Sequence, residues 1–387
     1  MWRAVAIGAL VGALLIAATG SEPQRATPSA LPRPVPTRPL PPIALDVPAL
    51  QVAQFASSLS LEAKLRQLLM IHCPGQNADL LRACVDTAGV GGLIFMGDNV
   101  PADPAALPAL AEAVRGSGPF ERLLAIDQEG GIVSRLPWDV APAGSDLASA
   151  PVEHTSAAFA SRAALVRAGG LTVNFGVVAD VTANPRSFLY DRVLGFDSAQ
   201  AGERVAAAVA AERGVVASTL KHFPGHGAAD GDSHSSLPVT GRSLDEWRAN
   251  EAVPFRAGIA AGAELVMMSH VVFSAVEGAP ASLSPAWHRI LRDELGFHGV
   301  IVSDDLLMLQ ANGIAEFSDP TLNAIRALAA GTDLLLFVLP ADPASAGVNL
   351  DALVAGLAAA VRDGRISPAH LDAALDRVLR LRLALTQ

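Results

Sequence analysis

Residues 216–227 read Val-Ala-Ser-Thr-Leu-Lys-His-Phe-Pro-Gly-His-Gly, an apolar run that breaks at Lys221 into basic, aromatic and turn-forming residues. The break marks a buried strand ending in a chemically equipped loop. Short β-branched or leucine-rich runs recur at 68–71, 92–95, 123–126, 171–175, 265–269, 300–303 and 333–338, with alanine-rich helical stretches between them. Together with 216–220 they make eight unbroken apolar strands alternating with helices, the pattern of a parallel sheet covered on both faces. Eight such units in about 340 residues predict a single α/β (β/α)8 barrel. A doubly wound open sheet is the alternative architecture. The last helix has its own start signal, with Ser367 as cap and Pro368 as first helical residue. Leu371, Leu375, Val378 and Leu379 then give it an apolar stripe.

In such a barrel the catalytic groups stand at the C-terminal ends of the strands. Asp127-Gln128-Glu129-Gly130-Gly131 follows the third run, and Lys221 to Gly227 follows the fifth. His270 closes the sixth, and Asp304-Asp305 follow the seventh. Asp304 therefore reads as a carboxylate nucleophile or a metal ligand, with Asp305 free to cap the next helix. His222 and His226 have zinc-like spacing, but Pro224 and Gly225 between them oppose a shared helical face. Asp232 lies two residues before His234, close enough to orient the imidazole and stabilise its charged form for proton transfer. Asp127 is placed to accept from a polyol, and Glu129 reads equally as a buried structural partner. Arg135 and Arg192 are candidate ligand clamps. Cys73 and Cys84 either pack as small apolar groups or pair; nothing beside them suggests a catalytic thiol.

The chain has 387 residues, 51% hydrophobic and 17% charged, with 28 Lys+Arg against 38 Asp+Glu and a net charge of −10. Disorder is excluded by the apolar content, and general nucleic-acid binding by the missing basic face. Only Lys64 and Lys221 are lysines, so 28 − 2 = 26 arginines carry nearly all the positive charge. Arg3 precedes a sixteen-residue apolar run at 4–19 that ends on Ala18-Thr19-Gly20. That length suits a signal peptide over residues 1–20 better than a membrane span, although an uncleaved membrane anchor is the other reading. Ser21 stands where a lipoprotein would carry its lipidated cysteine. Nine prolines between Pro23 and Pro48 make residues 21–48 an extended spacer. The globular domain is expected over 49–387, in a protein exported to the cell envelope or beyond.

At these residues the sequence resembles glycoside hydrolase family 3, specifically its single-domain β-N-acetylglucosaminidase branch. The likeness rests on Asp127–Gly131, Asn174-Phe175 with 177–180, 221–227, 232–234 and 303–306, in family order across most of 50–387. It implies one barrel without the sandwich domain of longer relatives, and a retaining mechanism. Asp304 would attack the anomeric carbon, and His234, paired with Asp232, would act as acid and then base. Most retaining glycosidases use two carboxyl groups for these roles. Asp127, Arg135, Arg192, Lys221 and His222 match the positions that hold a terminal N-acetylglucosamine. The resemblance calls for no cofactor or metal, and implies a monomer acting on muropeptides or related N-acetylglucosaminides. One departure is Ile132, where the family usually has arginine after Glu-Gly-Gly; it bears on packing or substrate choice.

Other readings stay open on sequence grounds. One is a metal-dependent barrel hydrolase using His222, His226, Asp232, His234 and Asp304. Another is a wall-binding barrel without catalysis. Phosphorolysis is a third, because an imidazole acid/base does not repel phosphate as a carboxylate would.

Overall fold

Eight apolar runs become eight strands: β1 (Leu69–Ile71), β2 (Gly92–Phe95), β3 (Leu123–Ile126), β4 (Val173–Val178), β5 (Ala217–Phe223), β6 (Leu265–Met268), β7 (Val300–Ser303) and β8 (Leu335–Phe337). They are seen in a computed structural model that describes residues 46–386. Every residue of all eight is buried, which is why the sequence shows no alternation along them. The strands are all parallel, and neighbours in sequence are neighbours in the sheet, with β8 beside β1. A Val302–Leu334 bridge joins β7 to β8, supported by the Ser303 N–H donating to the Leu334 carbonyl at 3.0 Å. The sheet thus closes on itself with helices outside, the (β/α)8 barrel expected from the sequence.

Strands β2, β3 and β7 coincide with the runs read from hydrophobicity. Two others reach further. β4 runs to Val178 rather than ending at Phe175, and β5 runs through Lys221 and His222 to Phe223. Apolar periodicity stops where polar side chains begin, but these side chains are buried with partners, so the backbone continues in the sheet. The ladder is irregular between Asn174 and Val177 and between Leu220 and Phe223. Such bulges redirect side chains, and both lie at the catalytic end of the barrel.

Below the β5 loop sits an aromatic cluster. Phe223 meets Trp247, Phe255 and Trp287 edge-on at 5.9, 5.1 and 5.9 Å between ring centroids. Trp247 Nε1 donates to the Pro224 carbonyl at 2.8 Å, anchoring the turn that follows. Gly225 has φ +127°, and a Cβ there would lie 2.7 Å from the Glu251 side chain, so the turn needs glycine.

The helix Val47–Ser58 opens the described chain, with Asp46 accepting from the Ala49 N–H at 3.0 Å. Pro48 sits in its first turn, where the missing N–H costs nothing. The signal-like segment 1–20 and the spacer up to residue 45 lie outside the described residues. The final helix is Pro368–Thr386, with Leu371, Leu375, Val378 and Leu379 buried against the core. Cys73 and Cys84 form a disulfide with Cα atoms 6.4 Å apart, settling the alternative that the sequence left open.

Candidate active site

A charge network from three strand ends forms one wall of the site. Asp127 and Glu129 flank Gln128 after β3, where Gln128–Gly130 and Val133–Ser134 make a small hairpin. Lys221 emerges from β5 and bridges both carboxylates, with Nζ 2.9 Å from Asp127 Oδ1 and 2.6 Å from Glu129 Oε1. Arg192 grips Glu129 through two parallel bonds of 2.8 Å, from Nε and Nη2. Arg135 Nη2 lies 3.5 Å from Asp127 Oδ2. Burial opposes ionisation of Glu129, but Lys221 and Arg192 hold its carboxyl down to about 2. Asp127 is likewise buried, and Lys221 and Arg135 keep it below its usual range. Burial also opposes the charge on Lys221, which the two carboxylates raise instead. The wall is therefore fully ionised at neutral pH.

His222 is held from behind by Asp180 after β4. Asp180 Oδ2 lies 2.6 Å from His222 Nδ1 and accepts the His222 N–H at 3.1 Å, while its Oδ1 accepts the His226 N–H at 2.5 Å. Burial first, then the Arg192 charge, keeps His222 well below the usual histidine range. The neutral tautomer that satisfies both neighbours donates from Nδ1 to Asp180 and presents Nε2 to Arg192, 3.3 Å away. His226 bonds instead to Ser233 Oγ through Nε2 at 3.0 Å. The two imidazoles thus serve different partners. Among the described residues no three His, Cys, Asp or Glu side chains are grouped as a metal would require.

Asp304 follows β7, and its N–H donates to the Met268 carbonyl at 2.9 Å, tying it to β6. Its Oδ1 accepts the Asp305 N–H at 2.9 Å. Burial pushes this carboxyl up, yet the neighbouring imidazoles, the Asp305 N–H and Lys221 outweigh it and hold it below the ordinary value. Asp305 points elsewhere: its Oδ1 accepts from Leu307 N–H at 3.1 Å and Val338 N–H at 3.0 Å. It fastens the following turn to β8, and burial raises it to about 6. The two adjacent aspartates are thus separated into a cavity-facing carboxylate and a structural one. The helix cap expected of Asp305 is not formed: the next helix, Met308–Ala311, has Leu307 at its cap position and no side-chain cap bond. His270 secures this corner, with Nε2 2.9 Å from the Asp305 carbonyl and Nδ1 2.7 Å from Ser282 Oγ.

His234 and Asp232 stand on the loop after β5. His234 Nδ1 is 2.6 Å from Asp232 Oδ1, which also accepts the His234 N–H at 3.0 Å. Slight burial of Asp232 is outweighed by these two bonds, which keep it ionised. The pair faces solvent, with the His234 side chain 64% exposed. Phe188 packs edge-on to His234 at 6.4 Å and to His226 at 4.8 Å.

Asp127, Glu129, Arg135, Arg192, Lys221, His222, His234 and Asp304 all line one cavity of about 330 Å³. Of the eight residues singled out from the sequence, only Asp232 is not on the wall; it stands behind His234. Sequence reasoning left Glu129 undecided and missed Asp180 and Phe188 as parts of the site. Asp180 lies in a run that carried the family likeness, but only contact with His222 and His226 shows what it does. Ile132 is 67% exposed at the hairpin tip, so the departure from the family pattern does not disturb core packing.

The N-terminal domain of glycosyl hydrolase family 3 matches residues 60–381. A β-hexosaminidase of Stenotrophomonas maltophilia (strain K279a) is 40% identical over 210 residues, which are 51% of this chain and 62% of that protein. The match therefore spans less than two thirds of that relative's length. A β-hexosaminidase of Pseudomonas aeruginosa (strain LESB58) is 38% identical over 273 residues, 68% of this chain and 79% of the other. The solved structure of a glycoside hydrolase family 3 β-N-acetylglucosaminidase from Paenibacillus sp. str. FPU-7 is similar with a TM-score of 0.77 at 33% identity. That likeness covers 85% of this chain and 64% of the other.

Proposed function

The chain belongs to glycosyl hydrolase family 3, and from that membership we propose that it is a retaining β-N-acetylglucosaminidase. Its substrates are terminal β-linked N-acetylglucosaminides, with peptidoglycan fragments as the class intended. One observation carries the reading: an ionised Asp304 and a solvent-facing His234, backed by Asp232, line the same cavity as the charged wall of Asp127, Glu129, Arg192 and Lys221. Asp304 attacks the anomeric carbon as His234 gives its proton to the leaving oxygen, so one C–O bond forms while another breaks. Asp232 stabilises the imidazolium before that transfer and orients the ring. In the second step His234 takes a proton from water, whose oxygen replaces the Asp304 ester and restores both groups. Asp127 accepts from sugar hydroxyls, while Lys221, Arg135, Arg192 and His222 donate to or align the rest of the ring.

The same reading puts the protein outside the cytoplasm, with residues 1–20 as signal and a spacer from residue 21 up to a catalytic domain whose first helix is Val47–Ser58. The Cys73–Cys84 disulfide supports an oxidising compartment. N-terminal sequencing of the secreted protein tests the cleavage.

The activity is tested with aryl N-acetylglucosaminide and aryl glucoside, with and without phosphate. Release from the first, independent of phosphate and with retained anomeric configuration, is expected. Asp304→Ala should abolish it, and wild-type turnover in that variant would end the nucleophile assignment. His234→Ala should matter least for leaving groups that need no proton. Equal loss across good and poor leaving groups would refute the acid role. A sugar phosphate as product would move the reaction to phosphorolysis.

A further inference from the structure

The N-terminal ends of β1, β2 and β3 face away from the catalytic cavity, and a second pocket of about 560 Å³ opens there. It lies among Gln67 just before β1, the turn at Gly89 and Val90 before β2, and Arg122 just before β3. Four guanidinium groups line it, from Arg82, Arg115, Arg122 and Arg382, against two carboxylates, Asp86 and Glu112. Glu121, just outside the lining, also reaches Arg115 Nη1 at 3.5 Å. Among the described residues Arg82, Arg115 and Arg122 thus each have a carboxylate partner, and Arg382 does not.

The carboxylates are already engaged. Asp86 Oδ1 is 2.7 Å from Arg122 Nη2, and Glu112 Oε2 is 3.1 Å from Arg115 Nε. Among the described residues Arg82 has one carboxylate partner, Asp79 on the exposed surface at 3.3 Å, and its Nε donates to the Ala113 carbonyl at 3.3 Å. Arg382 is different: it is 4% exposed and, among the described residues, has no carboxylate partner. Its Nε donates to the Glu121 carbonyl at 2.7 Å, its Nη1 to Gln67 Oε1 at 2.6 Å, and its Nη2 to the Phe120 carbonyl. All of these acceptors are neutral. Burial, with Arg122 alongside, pushes the Arg382 guanidinium down to about 10, so it remains a cation at neutral pH. Two of its five N–H donors are left after these bonds. A buried charge held by neutral groups is costly unless a counter-charge is near. The open pocket beside it supplies room for one, and several guanidinium forks from different elements suit an anion with three or more oxygens.

We propose that this pocket is a second ligand site, binding a small phosphate anion, either inorganic phosphate or a phosphate monoester, remote from the glycosidase centre. The proposal does not depend on the activity assigned above. Binding is measured on the full chain by titration calorimetry with inorganic phosphate, with glycerol phosphate, and with acetate and chloride at matched ionic strength. Either phosphate compound should bind and raise the unfolding temperature, while acetate and chloride should not. Stronger binding of glycerol phosphate identifies the monoester as the ligand; stronger binding of phosphate identifies the free ion.

Two variants locate the site. Arg382→Met removes the buried cation and should abolish binding. Because it also unpairs two carbonyls, Arg82→Glu serves as the variant certain to leave the core untouched. Reversing that exposed charge should weaken phosphate by about tenfold or more, the worth of one charge-assisted hydrogen bond. Absence of phosphate-specific binding overturns the proposal, and so does binding that Arg82→Glu leaves unchanged, since phosphate would then be held elsewhere.

Discussion

Replacing Lys221 with methionine keeps the length of the side chain and removes the charge that bridges Asp127 and Glu129. The size of the effect follows from Glu129. Its carboxyl is held at about 2 instead of 4.5, against the cost of burial, with Lys221 the foremost favourable cause. That depression corresponds to about 3 kcal/mol of folding stability at pH 7. Because the folded value lies below the unfolded one, the contribution is whole above pH 4.5 and fades as pH falls toward 2. At pH 3 it has shrunk to about 1 kcal/mol. Lys221→Met removes the foremost of the charges behind that depression, with Arg192 left in place, and should lose on the order of 3 kcal/mol at pH 7, the range for removing one partner of a buried ion pair. Chemical denaturation at pH 7 and pH 3 measures the gap between variant and wild type. The gap should narrow on acidification. A gap that stays constant would mean that the loss comes from packing, and would refute the electrostatic account of this wall. On the proposed function, in which Lys221 contacts the sugar, turnover of aryl N-acetylglucosaminide should fall about tenfold or more, the worth of one charge-assisted hydrogen bond.

Three further tests address the scaffold. Glu212 is fully buried and raised to about 7, with Asn174 Nδ2 donating to it at 2.6 Å. Its folded value exceeds its unfolded one, so stability from this group is whole below pH 4.5 and is lost as pH rises through 7; Glu212→Gln should flatten that slope in urea titrations from pH 5 to 8. Gly130→Ala should destabilise by about 1–3 kcal/mol from its φ of +85° alone, and more because the new Cβ meets the buried Arg162 guanidinium at 2.1 Å. Thermal unfolding measures this, and an unchanged midpoint would show that the hairpin relaxes freely. Cys84→Ser opens a link between residues 11 apart in sequence and should cost about 3 kcal/mol; the variant and the reduced wild type should unfold alike.

The barrel was legible because strand burial leaves a local trace. Runs such as 300–303 are apolar on both faces, and a window of four residues is enough to see it. The positions of Asp304 and Lys221 were legible for a related reason, since an ionisable group that ends an apolar run stands out in the linear chain, whereas His234 stood out by its spacing from Asp232 close after 221–227. Helix-capping chemistry suggested a structural role for Asp305, but that carboxylate instead ties a turn to Val338, 33 residues on, and the helix Met308–Ala311 has no side-chain cap.

Partnership was not legible. Lys221 and Asp127 are 94 residues apart, and His222 meets Asp180 across 42. Nothing in composition or spacing tells whether Glu129 is buried against two cations or idle at the surface. The sequence by itself determined which elements form and which chemical groups stand at their ends, because propensity, burial pattern and side-chain identity are short-range properties. Only the tertiary structure decided which of those groups are ionised, which are neutral and which face the cavity. Desolvation and Coulomb attraction depend on distance in space, and the closing of the barrel sets that distance.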